Sequence, residues 1–244
     1  MSRVFIAEDL KENSLLTITG EKHHYLRHVL RLNKGDPLFL FNGTAKEYKA
    51  IIAGIGKNKL SVQIFSGSEV SKESPIETVI GQAIPKGNKL DDLIPKITEL
   101  GATGLVALIT ERSDVKSISP QKISRWQKIA EHSTQQTGRT QVLSIESPLT
   151  FLNFLKKYSD FEKIIFYELE TSQSFKDILI KSASQKFCLI IGPEGGFTPQ
   201  EISLGLEHGC KIVSLGTRIL RTETVAPAVM AILQYVKGDL NRHE

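Results

Sequence analysis

IGPEGGFTPQE, residues 191 to 201, is the stretch that decides how this chain is read. An apolar run, FCLII (187–191), enters a turn with three glycines, Gly192, Gly195 and Gly196, and a helix signal follows at once. Thr198-Pro199-Gln200-Glu201 matches a capping box with proline in the first helical position. The glycines therefore serve a fixed loop and let a ligand approach the main chain. Strand, glycine turn and helix together are the local form of a phosphate cradle. This turn, however, has neither G-x-G-x-x-G nor the GK[ST] of a P-loop. It carries a carboxylate, Glu194, where a helix terminus favours negative charge. A nucleotide phosphate would compete with that carboxylate. A ligand with an adenosine-like body, no phosphate and a cationic centre suits it better, and S-adenosylmethionine has that character. Taken alone, the turn is also what any βα connection with a capping acid looks like.

Outward from this loop, everything after Pro75 alternates strand with helix. ETVIGQAI precedes KLDDLIPKITEL, whose Leu90, Leu93, Ile94, Ile97 and Leu100 keep helical spacing until Gly101. LVALIT comes next, then a helix opened by Ser119 and Pro120 with Ile123, Trp126 and Ile129 on one face. VLSI leads to a helix expected to be capped by Ser147 and Pro148. KIIFYELE, a helix around SFKDILI, FCLII, a helix after Thr198, KIVSL and a last helix ending near Lys237 complete the series. Such alternation predicts a largely parallel sheet covered on both faces. Ligands then collect beyond the carboxyl ends of the strands. Three ends stand out: IGPEGGF, LGTRILRTET after KIVSL, and ITERSD after LVALIT. Pro227 is tolerated best in a first helical turn, so the last helix is expected to begin between Thr222 and Thr224. That leaves Gly216 to Arg221 as loop, with Arg218, Arg221 and Glu223 at the mouth of the sheet.

The first third differs in rhythm and charge. RVFI, LLTIT, DPLFLF, EYKAIIAGI and KLSVQIF read as short strands separated by Gly or Asn turns, which predicts a small barrel. One helical piece, EKHHYLRHVLRL, interrupts them, with Tyr25, Leu26, Val29 and Leu30 as its apolar stripe. Ser66 to Pro75 is polar and breaker-rich, a linker by composition. Domains are accordingly expected at 1–70 and 71–244. Residues 1–72 carry 11 Lys/Arg against 7 Asp/Glu, whereas the remainder has 20 of each. The whole positive surplus thus sits beside His23, His24 and His28, as suits contact with a polyanion and equally a solvated basic face. His24 and His28, four apart, lack a third ligand nearby, so no metal is expected. Two cysteines without metal spacing read as reduced core residues of a cytoplasmic protein. No apolar run is long enough to span a bilayer, and MSRVFIAEDLKEN lacks the apolar stretch of a secretory signal.

IGPEGGFTPQE together with LGTRILRTET resembles the signature of the SPOUT methyltransferases, and most closely their 16S rRNA uridine-N3 branch. HHYLRHVLRLNKGDPLFLFNG resembles that branch's PUA-like RNA-binding domain. KITELGATGLVALITERS, QTGRT around Arg139 and LQYVKGDL extend the likeness over essentially the whole chain. The resemblance implies an α/β C-terminal domain with a deep trefoil knot, a PUA-like β-barrel at the N-terminus, and a homodimer. It implies S-adenosylmethionine as cofactor, wrapped by Leu108, Thr110, Ile191, Gly192, Pro193, Glu194, Gly195, Gly196, Leu215, Gly216, Ile219, Leu220, Arg221 and Thr222. The chain departs from the family at Pro227, one residue late, and at STQQTGR, where an acidic residue often precedes the Gln.

Methylation at uridine N3 requires loss of a proton and donors aimed at the uracil carbonyls. Arg221 is the first candidate for those donors; Glu223 is expected to orient Arg221 or act as base. Arg139, supplied by the opposite subunit, is expected to hold a phosphate or the target base. Lys22, His24, Arg27, Arg31 and Lys34 are the expected RNA contacts on 16S rRNA or the small subunit. Three other readings stay open: a SPOUT enzyme acting on a ribose 2′-oxygen or a tRNA base, a non-catalytic ribosome-assembly factor, and a dinucleotide-binding dehydrogenase fold. Glu194 is left as either a helix-terminus carboxylate or a cofactor contact.

Overall fold

The computed structural model describes residues 1–70, 72–170 and 173–241. They fall into two compact units, Met1–Glu73 with Thr134–Val142, and Ser74–Ser133 with Leu143–Glu244.

The first unit is built on β1 (Ser2–Phe5), β2 (Leu15–Thr19), β3 (Pro37–Phe41), β4 (Lys46–Ile55) and β5 (Lys59–Glu69), in sheet order β1-β3-β4-β5-β2. β1 and β3 are parallel and the other pairs antiparallel. Alternate residues point inward, for example Tyr48, Ala50 and Ile52 on β4 and Leu60, Val62 and Ile64 on β5. Val4, Ile18, Leu38 and Leu40 join the same cluster. A sheet that sends one face of all five strands into a single core has to curl around it. Register shifts in the β4–β5 pair, between Lys49 and Ala50 and between Ile52 and Gly54, supply the bends. β5 runs on to Glu69, through the first residues of the polar stretch read as a linker, whose Ser71 lies outside the described residues.

The helical piece is correct in place but not in winding. α1 (Gly20–His24) passes directly into a π turn, Tyr25–Val29. Leu26 is buried and Tyr25 and Leu30 pack on the core, but Val29 is 61% exposed. The wider π turn aligns Leu26 with Leu30 and rotates Val29 off the stripe that α-helical spacing predicts.

The second unit carries β6 (Glu77–Ala83), β7 (Gly104–Ile109), β8 (Ser144–Thr150), β9 (Glu162–Phe166), β10 (Lys186–Ile191) and β11 (Lys211–Val213). All neighbours are parallel, in the order β11-β9-β10-β6-β7-β8. The intervening helices are α2 (Lys89–Glu99), α3 (Pro120–Thr137), α4 (Phe151–Lys157), α5 (Phe175–Lys181), α6 (Pro199–Glu207) and α7 (Thr222–Val236). Cys188 and Ile190 of β10 join Phe154, Phe197 and Ile212 in one cluster. Phe187, Leu189 and Ile191, on the other face, are equally buried, and α7 packs there on β10 and α2. Burial on both faces is why these strands are continuous apolar runs rather than alternating ones.

Ser147 and Pro148 do not cap a helix; they lie within β8. β8 is an edge strand, where a missing N–H costs no ladder bond. Thr150 caps α4 instead, accepting from the Asn153 N–H. Both cysteines are free and buried, and burial pushes the Cys210 thiol up to about 12 and Cys188 further. Neither thiol is expected to react with a thiol-selective reagent at pH 8 until denaturant is added. Rapid labelling of the native protein would contradict that burial.

Candidate functional site

Two helix starts and two loops converge beyond the carboxyl ends of β9, β10 and β11. They enclose a cavity of about 440 Å³, lined by Ile191–Glu194, by Gly196 and Phe197, and by Ser214–Glu223. Phe166, Tyr167, Glu168, Lys89 and Val225 complete the wall. α6 starts as its sequence requires: the Thr198 hydroxyl accepts from the Glu201 N–H at 3.2 Å, and Glu201 returns an acceptor to the Thr198 N–H at 3.0 Å. The other Glu201 oxygen accepts from the Glu111 N–H at 2.9 Å, which ties the end of β7 to this helix start. Gly196 sits at φ +68°, and a Cβ there would lie 2.8 Å from a Glu168 carboxylate oxygen. The left-handed backbone is what favours glycine here, since the Glu168 carboxylate is the end of a flexible, exposed side chain that can swing aside.

Thr222 fixes the opposite wall. Its hydroxyl donates to the Gly192 carbonyl at 2.8 Å and accepts from the Gln82 amide at 2.9 Å. α7 is pinned in this way to the ends of β10 and β6, although it follows β11 at the far edge of the sheet. The helix begins at Thr222, within the expected span, but Pro227 lies inside it rather than in its first turn. The Thr222 hydrogen bonds, not the proline, set the start.

Electrostatics at the mouth centre on a residue missed by sequence reasoning. Lys89, first residue of α2, places its ammonium 3.0 Å from Glu194 and 3.2 Å from Glu223. The second contact is charge attraction without hydrogen-bond direction. A cation at a helix N-terminus opposes the helix dipole; the two carboxylates offset that and hold the Lys89 ammonium above its ordinary range. Burial works against ionisation of Glu194, but the Lys89 hydrogen bond and the N–H groups of Glu194 and Lys86 hold its carboxyl below the usual value. The N–H of Glu223, at the start of α7, does the same for Glu223 despite partial burial, with Lys89 assisting. Glu194 therefore caps no helix: α6 is capped by Thr198 and Glu201, and Glu194 is the partner of Lys89. The lysine absent from the glycine loop comes from 105 positions earlier, and no local motif reports such a pairing.

Of the residues expected around a cofactor, Ile191, Gly192, Pro193, Glu194, Gly196, Leu215, Gly216, Ile219, Leu220, Arg221 and Thr222 line the cavity, as does Glu223. Leu108 and Thr110 do not. Leu108 is fully buried in the core. The Thr110 hydroxyl is held by Ser113 at 2.7 Å, and Lys116 covers its carbonyl. Gly195 stands outside too, its carbonyl taken by Arg112 at 2.7 Å. Arg218 and Arg221 are exposed, and their guanidinium groups make no hydrogen bond or ion pair among the described residues. Glu223 pairs with Lys89, not with Arg221.

Arg139 is a correction. It belongs to the first unit, is only 4% exposed, and binds Glu73 through Nε (2.8 Å) and Nη2 (2.7 Å). Glu73 also accepts from the N–H groups of Thr140 and Gln141. This guanidinium holds a backbone segment and is not open to a phosphate. Arg3 continues the network, donating to the carbonyls of Gln135 and Arg139 at 3.0 Å each.

The expected RNA contacts share α1, the π turn and the loop behind it. His24, Arg31 and Lys34 are exposed. Lys22 stands 5.8 Å above the Phe5 ring, and Arg27 braces the loop through Leu32 and Asn33. His24 and His28 stack 4.6 Å apart, and no group of three metal-ligating side chains exists among the described residues. No helix among them is long and apolar enough to cross a membrane.

Comparison with known proteins places this geometry. Residues 72–234 match the RNA methyltransferase domain and residues 18–65 the RNA methyltransferase PUA domain. The chain is 36% identical to ribosomal RNA small subunit methyltransferase E of Rickettsia conorii, over 94% of this chain and 93% of that one. The Bacillus subtilis protein of the same name is 32% identical over 98% and 100%. The crystal structure of the Neisseria gonorrhoeae protein of that name, bound to S-adenosyl methionine, superposes with a TM-score of 0.90 at 30% identity. It covers 98% of this chain and 99% of that one.

Proposed function

Since the chain belongs to the RNA methyltransferase family, among the small-subunit ribosomal RNA methyltransferases E, we propose that it methylates N3 of a uridine in 16S rRNA with S-adenosylmethionine as donor. The observation that carries this reading is the cavity at the ends of β9, β10 and β11. Its floor is apolar and main-chain, and its rim bears three carboxylates, Glu168, Glu194 and Glu223, beside three cations, Lys89, Arg218 and Arg221. These residues fit the cofactor: Phe166, Ile191, Leu215, Leu220 and Val225 suit a flat adenine, loop backbone suits its polar edge, and the carboxylates suit a positive sulfur. When bound, S-adenosylmethionine supplies an electrophilic methyl group.

The chain's own residues then have two tasks. Glu223, held ionised at neutral pH by its N–H and by Lys89, accepts the uridine N3 proton and passes it to solvent at the open mouth. Arg221, whose guanidinium makes no hydrogen bond or ion pair among the described residues, aims its donors at the uracil carbonyls and stabilises the anion left by that proton. Arg139, buried against Glu73, is left out of the chemistry.

Membership also supports a threaded chain, since residues 214–221 run from edge strand β11 to a pinned position at the ends of β10 and β6. It supports a cytoplasmic homodimer: Ile219, Ile232 and Tyr235 are exposed apolar side chains on and before α7, a surface such a pairing would cover. The test is to incubate the protein with labelled S-adenosylmethionine and small ribosomal subunits and map the product. Label on uridine N3 is expected; label only in ribose, or none, would overturn the reading. The basic helix and loop of the first unit should make RNA affinity fall with salt. Charge-neutral Lys34→Gln and Arg31→Gln variants should each flatten the log–log slope by about 1. An unchanged slope would remove these side chains from the RNA contact.

A further inference from the structure

We infer that Lys89 sets how strongly the cavity prefers a cationic ligand over its neutral counterpart; this rests on the methyl-donor reading above. Loss of the methyl group converts a positive sulfonium into a neutral thioether, so donor and product differ in charge at nearly constant shape. The cavity lining holds three carboxylates and three cations, and Lys89 is the one of those cations paired to carboxylates, between Glu194 and Glu223 at 3.0 and 3.2 Å. Arg218 and Arg221 are exposed, where solvent and salt screen them. Lys89 with its two partners leaves one net negative charge; Glu168 is exposed like the two arginines and is screened with them. That surplus favours the charged donor. The ammonium cancels part of it and so limits the preference.

The position of Lys89 argues that this is a function rather than surface decoration. A lysine as first residue of α2 works against the dipole of its own helix. The helix already has Asp91 and Asp92 in its first turn to favour the terminus. The lysine's contacts instead reach across to the start of α7 and to the glycine loop, both of which line the cavity. Removing the ammonium leaves both carboxylates in place with more field directed inward.

The test measures binding of S-adenosylmethionine and S-adenosylhomocysteine to the full chain by calorimetry, for the wild type, Lys89→Met and Lys89→Arg. In Lys89→Met the donor-to-product affinity ratio is expected to rise about fivefold, the size of one partly screened charge at cavity range. Lys89→Arg should keep the ratio within about twofold, since it keeps the charge. Glu194→Gln, which removes one negative charge and preserves shape, should lower the ratio by a similar factor, about fivefold. A ratio unmoved by both Lys89→Met and Glu194→Gln overturns the inference, and so does a fall in Lys89→Met. If Lys89→Met fails to fold by circular dichroism, Glu194→Gln alone decides. Failure of the wild type to bind either ligand would defeat the methyl-donor reading instead.

Discussion

Arg221→Ala is expected to slow methyl transfer by on the order of 10²–10³-fold, the usual loss on removing one preorganised donor from a developing anion. Cofactor affinity should change little, because the head group is exposed and the neighbouring Thr222 and Gly192 hold the loop without it. Stability should move by less than about 0.5 kcal/mol, since the Arg221 side chain makes no hydrogen bond or ion pair among the described residues, and its backbone carbonyl keeps the bonds from the Thr224 and Val225 N–H groups. It serves as the residue preceding α7 through its backbone alone, with no side-chain cap. This combination is diagnostic: a large kinetic loss in a protein of unchanged melting temperature. Arg218→Ala, altering another exposed guanidinium in the same loop, is the control and should cost far less. If Arg221→Ala transferred methyl groups near the wild-type rate, the anion would have to be stabilised elsewhere.

Thr222→Val acts on structure and function together. Valine keeps the shape but removes the hydroxyl that joins Gln82 to Gly192. Thr222 is 7% exposed and Gln82 only 1%, so water cannot replace the lost bonds. The Gln82 amide would keep only the Ala83 carbonyl at 3.2 Å, and its own oxygen already lacks a partner. Each buried group left unpaired costs about 1–3 kcal/mol, which gives roughly 2–4 kcal/mol in all. The melting temperature should fall by about 5–15 °C, and cofactor affinity should drop as the Gly192 loop loosens. Thr222→Ser keeps both hydrogen bonds and gives up a single methyl, so its loss should stay near 1 kcal/mol. Equal melting temperatures for the valine and serine variants would show that the hydroxyl pins nothing.

Much of the fold was legible along the chain because local rules and tertiary packing agree. FCLII is apolar at every position because both its faces are covered, and the capping box at Thr198 and Glu201 formed as written. The failures came where a tertiary contact overrode a local signal. Ser147–Pro148 reads as a helix start and is an edge strand; Val29 reads as buried and is turned out by a π turn. Arg139 reads as a functional arginine, yet Glu73, 66 residues away, had already claimed it.

The site divides along the same line. IGPEGGF and LGTRILRTET were recognisable as cavity walls because glycines, caps and strand ends are local features. That they face each other depends on Thr222 reaching Gly192, a contact 30 residues apart. The sequence alone determined the two units' character, the parallel sheet and the two loops that carry the chemistry. Only the tertiary structure decided where the charges meet. It took Lys89 from the start of α2 to Glu194 and Glu223, because two helix N-termini converge on the glycine loop and their charged side chains have to be balanced there. Glu194, a carboxylate without an assigned partner in its own loop, owes its state to a lysine that no local spacing connects to it.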